Sequence, residues 1–180
     1  MRLRPLFLSG AMLIEADYRF EARGWLARLD GEAELAARGL TARLAQTSLS
    51  LARRAGTLRG LHYQPGAGAQ DRLVRCARGA IWEAIVDLRP QSSTYCQWFG
   101  AALSDDNGRM LLVPPGFAHG FVALTDDAAV TCHVPSFSAL GGVRGVRHDD
   151  PAFGIDWPVP VLELSEQDRR WPDFRASAFF

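Results

Sequence analysis

Lysine is missing: every basic residue among the 180 is an arginine. Chemistry that needs a lysine amine, such as a Schiff base with a carbonyl substrate or the lysine of a phosphate-binding loop, is thereby excluded. Cysteine is scarce and odd in number. Cys76, Cys96 and Cys132 are widely spaced and none sits in a metal-type pair, a usage that fits reduced thiols in the cytoplasm better than a disulfide framework. Net charge is also missing, since 20 basic residues balance 20 acidic ones with no run of either sign. A nucleic-acid groove or an anionic membrane surface is therefore not an expected partner. No apolar run is long enough to span a bilayer. The opening "MRLRPLFLSGAMLIEADYRF" is broken by Pro5, Ser9 and Gly10 and runs into Glu15 and Asp17, so it is not read as an export signal. Helical periodicity is sparse, confined to "GEAELAARG" at 31–39 and "SEQDRRW" at 165–171, where Ser165 is placed to cap the first turn.

Short strand-like segments are abundant. "RLVRCARG", "AIWEAIVDLRP", "YCQWFGAALSDDNG", "RMLLVPPG", "FAHGFVALTDDA" and "AVTCHVP" are rich in β-branched, aliphatic and aromatic residues and are separated by Gly, Pro, Asp and Asn. This pattern predicts an all-β antiparallel sandwich or small barrel. The length suits a single domain over residues 1–180, and no internal repeat or linker interrupts it.

One of these segments carries chemistry. In "GTLRGLHYQ", residues 56–64, strand alternation puts Leu58, Gly60 and His62 on one face and Arg59, Leu61 and Tyr63 on the other. Arg59 and His62 point apart in a regular strand, unless a bulge near Gly60 turns them together. A metal site on a sheet usually needs two histidines two residues apart, whereas His62 is followed at that spacing by Gln64 and only four histidines exist, spread along the chain. Metal chemistry is not expected.

"GTLRGLHYQ", "RLVRCARGAIWEAIVDLRPQSSTYCQWFG", "LSDDNGRMLLVPPGFAHGFVAL" and "DDPAFGIDWP", in this order and spacing, resemble the dTDP-4-dehydrorhamnose 3,5-epimerase family from Arg23 to Asp168. The resemblance implies a cupin-type jelly roll and a cofactor-free inversion at carbon 3 or 5 of a nucleoside-diphosphate 4-keto sugar, dTDP-linked in the family. The ketone at carbon 4 acidifies the neighbouring C–H bonds. A base near neutral pKa, a cation for the enolate oxygen and a proton donor then suffice.

By this resemblance His62 is the base and Asp168 its partner, and His119 in "GFAHGF" contacts the substrate. Arg72 stands where the family has a lysine near the enolate oxygen, and Arg59 and Arg23 match residues that hold the diphosphate. Cys132 replaces the family's acid, a tyrosine, and alternation points His133 to the other face. Ser138, beside Phe137, replaces a family aromatic; Glu83 replaces an aspartate and Arg28 a glutamate. Gln46 remains from a nucleotide-contacting "QDN" that reads "QTS" here. The changes leave open inversion at one centre only, or a paralogue that binds a sugar nucleotide with altered or no catalysis. The family setting also implies a homodimer in which an N-terminal strand reaches the partner's sheet.

Overall fold

The computed structural model describes residues 1–28, 46–135 and 142–175. The helix expected at 31–39, together with Phe137 and Ser138, lies outside the described residues. In chain order the strands are β1 (Arg2–Pro5), β2 (Met12–Glu15), β3 (Asp17–Glu21), β4 (Gly24–Arg28), β5 (Gln46–Ala52), β6 (Leu58–Tyr63), β7 (Arg72–Arg78), β8 (Ala80–Asp87), β9 (Trp98–Ser104), β10 (Arg109–Val113), β11 (Phe117–Ala123), β12 (Ala128–Val134) and β13 (Arg144–Gly145). A single-turn helix, α1, follows at Glu166–Arg169. Each segment expected to hold a strand contains one, and no described helix is long and apolar enough to cross a membrane.

The strands form two facing sheets, one of order β1-β2-β10-β7-β12-β5 and one of order β13-β6-β11-β8-β9, with β3 and β4 apart as a hairpin. Among the described residues the pairings between these strands are antiparallel, for example Cys132 opposite Val74 and Gly120 opposite Ala84. This is the expected jelly-roll sandwich. Its interior takes one face of each sheet, including Leu13, Val74, Leu111 and Val130 from the first and Ile81, Ile85, Leu103 and Phe121 from the second. β8 explains why "AIWEAIVD" is almost continuously apolar. Ile81 and Ile85 face the interior, while Ala84 and Val86 join Leu61, Tyr63, Val146 and Phe153 in a second cluster on the outer face. A strand covered on both sides has no solvent face to mark with polar residues.

The irregularity that matters lies in β6. Opposite β11, His62 pairs with His119 but Arg59 pairs with Phe121, so β6 spends one more residue than its partner over this stretch. Gly60 sits at φ +132°, and a Cβ there would fall 2.7 Å from the Gly120 Cα and 2.9 Å from the His119 oxygen. Only a glycine tolerates both the backbone angle and the close approach.

Candidate active site

A cavity of about 580 Å³ lies between strands of the two sheets and the segment at 163–168, a size suited to a ligand of several rings. Arg59 and His62 both line it, so the bulge overturns the regular alternation that would have sent them apart. His119 adds to their wall from β11; Ser48, Ser50, Arg72, Val130 and Cys132 line the opposite sheet.

Asp168 is delivered by α1. Ser165 caps this turn as expected, its Oγ accepting from the Asp168 N–H at 3.0 Å. The segment before it docks on β6 through Leu58 N–H to Glu163 O at 2.9 Å. The Asp168 carboxylate, only 4% exposed, accepts from His62 Nε2 at 2.6 Å, Trp171 Nε1 at 3.1 Å and the Gly60 N–H at 3.4 Å. Burial pushes its pKa up, but the bonds from His62, Trp171 and Gly60 outweigh that and hold the group below the usual carboxylate value. An ionised carboxylate can only accept. His62 therefore carries its hydrogen on Nε2, and Nδ1 is the atom that takes a proton.

A second network faces this pair. His119 Nδ1 donates to Glu83 Oε1 at 2.8 Å, while His119 Nε2 accepts from Arg72 Nη1 at 3.3 Å. Arg72 Nη2 donates to Gln64 Oε1 at 2.9 Å. Burial lowers the pKa of His119; Glu83 opposes this, and the charges of Arg72 and His62 add to it. A neutral ring is also what its bonds require, one nitrogen donating and the other accepting from a cation. The guanidinium of Arg72 is thus aimed by two fixed acceptors.

Cys132 lines the cavity as its strand alternation predicts, and His133 lies off it, sharing a 2.7 Å hydrogen bond with Thr47 Oγ1 on β5. Burial pushes the Cys132 thiol up to about 11, with Arg72 pulling it down and Glu83 pushing it up. The group keeps its proton at neutral pH.

Three residues expected to touch substrate do not line this cavity. Arg23 stands at the β3–β4 turn with its side chain 90% exposed, pairing with Glu21 at 3.3 Å in its own hairpin. Glu83 is wholly buried behind His119, so it acts through that ring. Gln46 is on β5 two residues before Ser48, sharing its face but beyond the lining. Sequence reasoning also missed residues that do belong. Ser48 and Ser50 were legible as the period-two continuation of Gln46, and Trp171 as the residue one helical turn after Asp168; nothing local marked Gln64 as a partner of Arg72. Among the described residues no cluster of three His, Cys, Asp or Glu is arranged to hold a metal.

The sandwich and its acid–base pocket define a jelly-roll isomerase. The family model described as dTDP-4-dehydrorhamnose 3,5-epimerase matches residues 5–176. A dTDP-4-dehydrorhamnose 3,5-epimerase of Methanothermobacter thermautotrophicus is 39% identical over 176 residues, spanning 96% of this chain and 94% of that protein. A dTDP-4-dehydrorhamnose 3-epimerase of Streptomyces niveus is 38% identical over 175 residues, spanning 93% and 82%. The crystal structure of the Bacillus anthracis 3,5-epimerase with TDP and PPi bound, 37% identical, matches with a TM-score of 0.91 over 96% of this chain and 99% of that one. The chain belongs to the dTDP-4-dehydrorhamnose 3,5-epimerase family.

Proposed function

We propose that the protein epimerises a nucleoside-diphosphate 4-keto-6-deoxy sugar, carried on dTDP, at carbon 3, carbon 5 or both, without a cofactor. The observation that carries this reading is the 2.6 Å His62–Asp168 bond at the wall of a cavity that also holds Arg59 and Arg72. His62 Nδ1 takes the proton next to the ketone. The C–H electron pair moves into the ring and the carbonyl π pair onto oxygen, where Arg72 compensates the charge. Cys132 returns a proton to carbon as the enolate collapses to the ketone; His62 then gives its proton to water and the Cys132 thiolate takes one back, which restores both groups. Arg59 holds the diphosphate, with His119 beside the sugar and Gln46 on the nucleotide side. Binding of TDP by the B. anthracis relative supports the choice of nucleotide.

The Streptomyces niveus relative is named as a 3-epimerase, and with the Cys132 replacement this favours inversion at carbon 3 alone as the second reading. The working unit is residues 1–180 as one domain, a cytoplasmic homodimer in carbohydrate biosynthesis. Arg23, outside its own cavity, then meets the diphosphate bound to a second subunit.

Proton NMR in heavy water with dTDP-4-keto-6-deoxyglucose tests the reading. Deuterium is expected at carbon 3, with or without carbon 5, and is abolished by His62→Asn. Binding of the nucleotide sugar with no exchange at either carbon would instead establish a binding paralogue.

A further inference from the structure

Trp171 touches the base pair, and the chemistry set out above gives it no task. Its indole Nε1 donates to Asp168 Oδ1 at 3.1 Å, the same oxygen that receives the 2.6 Å bond from His62 Nε2. The indole also stands edge-on to the imidazole, with centroids 6.2 Å apart and planes at 73°. Room for it comes from Gly145, which lies directly opposite His62 in the β13–β6 pair. A Cβ at Gly145 would fall 2.2 Å from Trp171 Cε2 and 2.4 Å from Nε1, so the indole occupies the space that any other residue there would fill.

The segment bearing Trp171 is fastened beyond it as well. Arg147 Nη1 donates to Asp173 at 2.9 Å, Phe174 N–H donates to Asp150, and the Phe174 ring packs on Phe153 with centroids 5.0 Å apart. These ties hold the indole in place without help from the cavity.

We propose that Trp171 is a positioning residue for the epimerisation, fixing Asp168 so that His62 stays in its Nε2–H tautomer with the Nδ1 lone pair turned to the substrate. A carboxylate with a single donor on Oδ1 swings about its Cβ–Cγ bond. Here the Gly60 N–H reaches Oδ2 only at 3.4 Å, so the two close donors, His62 and Trp171, both fall on Oδ1; of these the indole is the one anchored independently of the imidazole, and its bond is what keeps the carboxylate from turning. Proton abstraction from carbon is sensitive to misplacement of the base by fractions of an ångström, so this orientation acts on turnover rather than on affinity. The indole touches Asp168 and not the sugar, and its effect passes through the pair.

The proposal rests on His62 being the base, and its test separates the two. Nitrogen-15 NMR of labelled histidine reports the His62 tautomer directly, alongside kcat and KM. The wild-type protein is expected to show the Nε2–H form, and Trp171→Phe, which keeps a ring but loses the donor, a mixture of tautomers. In the variant kcat falls about ten-fold, the order expected for one hydrogen bond to an ionised group, with KM unchanged. Gly145→Ala, which displaces the indole while leaving Trp171 present, is expected to give the same mixture. Its thermal midpoint, and that of Trp171→Phe, confirm that the proteins compared are folded.

A wild-type ring in the Nδ1–H form, or a folded Trp171→Phe protein with unchanged His62 signals, overturns the assignment whatever the turnover. Absence of exchange by the wild type counts against His62 as the base and leaves the tautomer comparison to decide Trp171.

Discussion

A thiol serves as a proton donor only while it holds its proton, and position 132 meets that condition. Burial pushes Cys132 to about 11, slightly above the roughly 10 of a free phenol, so the group matches a tyrosine in acidity while differing from it in reach. Cys132→Ala should therefore separate the two half-reactions: deuterium exchange at the abstracted centre persists, and inverted product falls about 100-fold. NMR of the product's ring couplings measures both in one sample. Position 72 shows the other substitution accommodated. A guanidinium has a planar fork that must be aimed, and the side chains of Gln64 and His119 supply the aim. His62, Asp168 and Cys132 were legible in the sequence because motif and alternation are local signals. Gln64 was not, since the loop between it and Arg72 shows no period that would bring the two side chains together.

At the scale of elements, the strands announced themselves by composition and by the Gly, Pro, Asp and Asn residues that end them. The regular alternation of β6 did not survive. A bulge depends on what the neighbouring strand allows, here the bare Gly120 against which Gly60 is pressed, and that pairing of glycines is invisible in a local window. Gly60→Ala should cost about 2–4 kcal/mol of stability, from the positive φ and the overlap with β11. Because the same bulge turns Arg59 and His62 toward one cavity, the variant should lose dTDP affinity and turnover together. Calorimetric titration and the exchange assay would show this; a loss of turnover alone would mean that Arg59 does not depend on the bulge. The hairpin of β3 and β4 was not among the expected strands, its polar and charged residues masking the alternation, and the two-residue β13 is too brief to show a period.

For the molecule as a whole, the apolar surface is unevenly spread. Leu49, 70% exposed, and Leu51, 39% exposed, stand on β5, an edge of the larger sheet. Phe20, Trp25 and Leu26 are 78%, 52% and 65% exposed on the β3–β4 hairpin. An uncovered apolar edge is a liability that association removes, which supports the proposed homodimer. Sedimentation equilibrium should give twice the chain mass for the native protein and a monomer for Leu49→Arg, with weakened dTDP binding because Arg23 then has no second cavity to enter. A native protein that sediments as a monomer would sink the proposal. The two members of the base pair stand 106 positions apart in sequence, and this separation has a consequence for how the site comes into being on folding. His62 stands on a strand of the second sheet, whereas Asp168 comes from α1, beyond the last strand of either sheet. Closing so long a loop costs entropy before the contact repays it, so the imidazole meets its carboxylate only when the sheets and the segment at 163–168 are assembled together. A partly folded chain carries the base without the partner that orients it, and reactivity is a property of the complete domain alone.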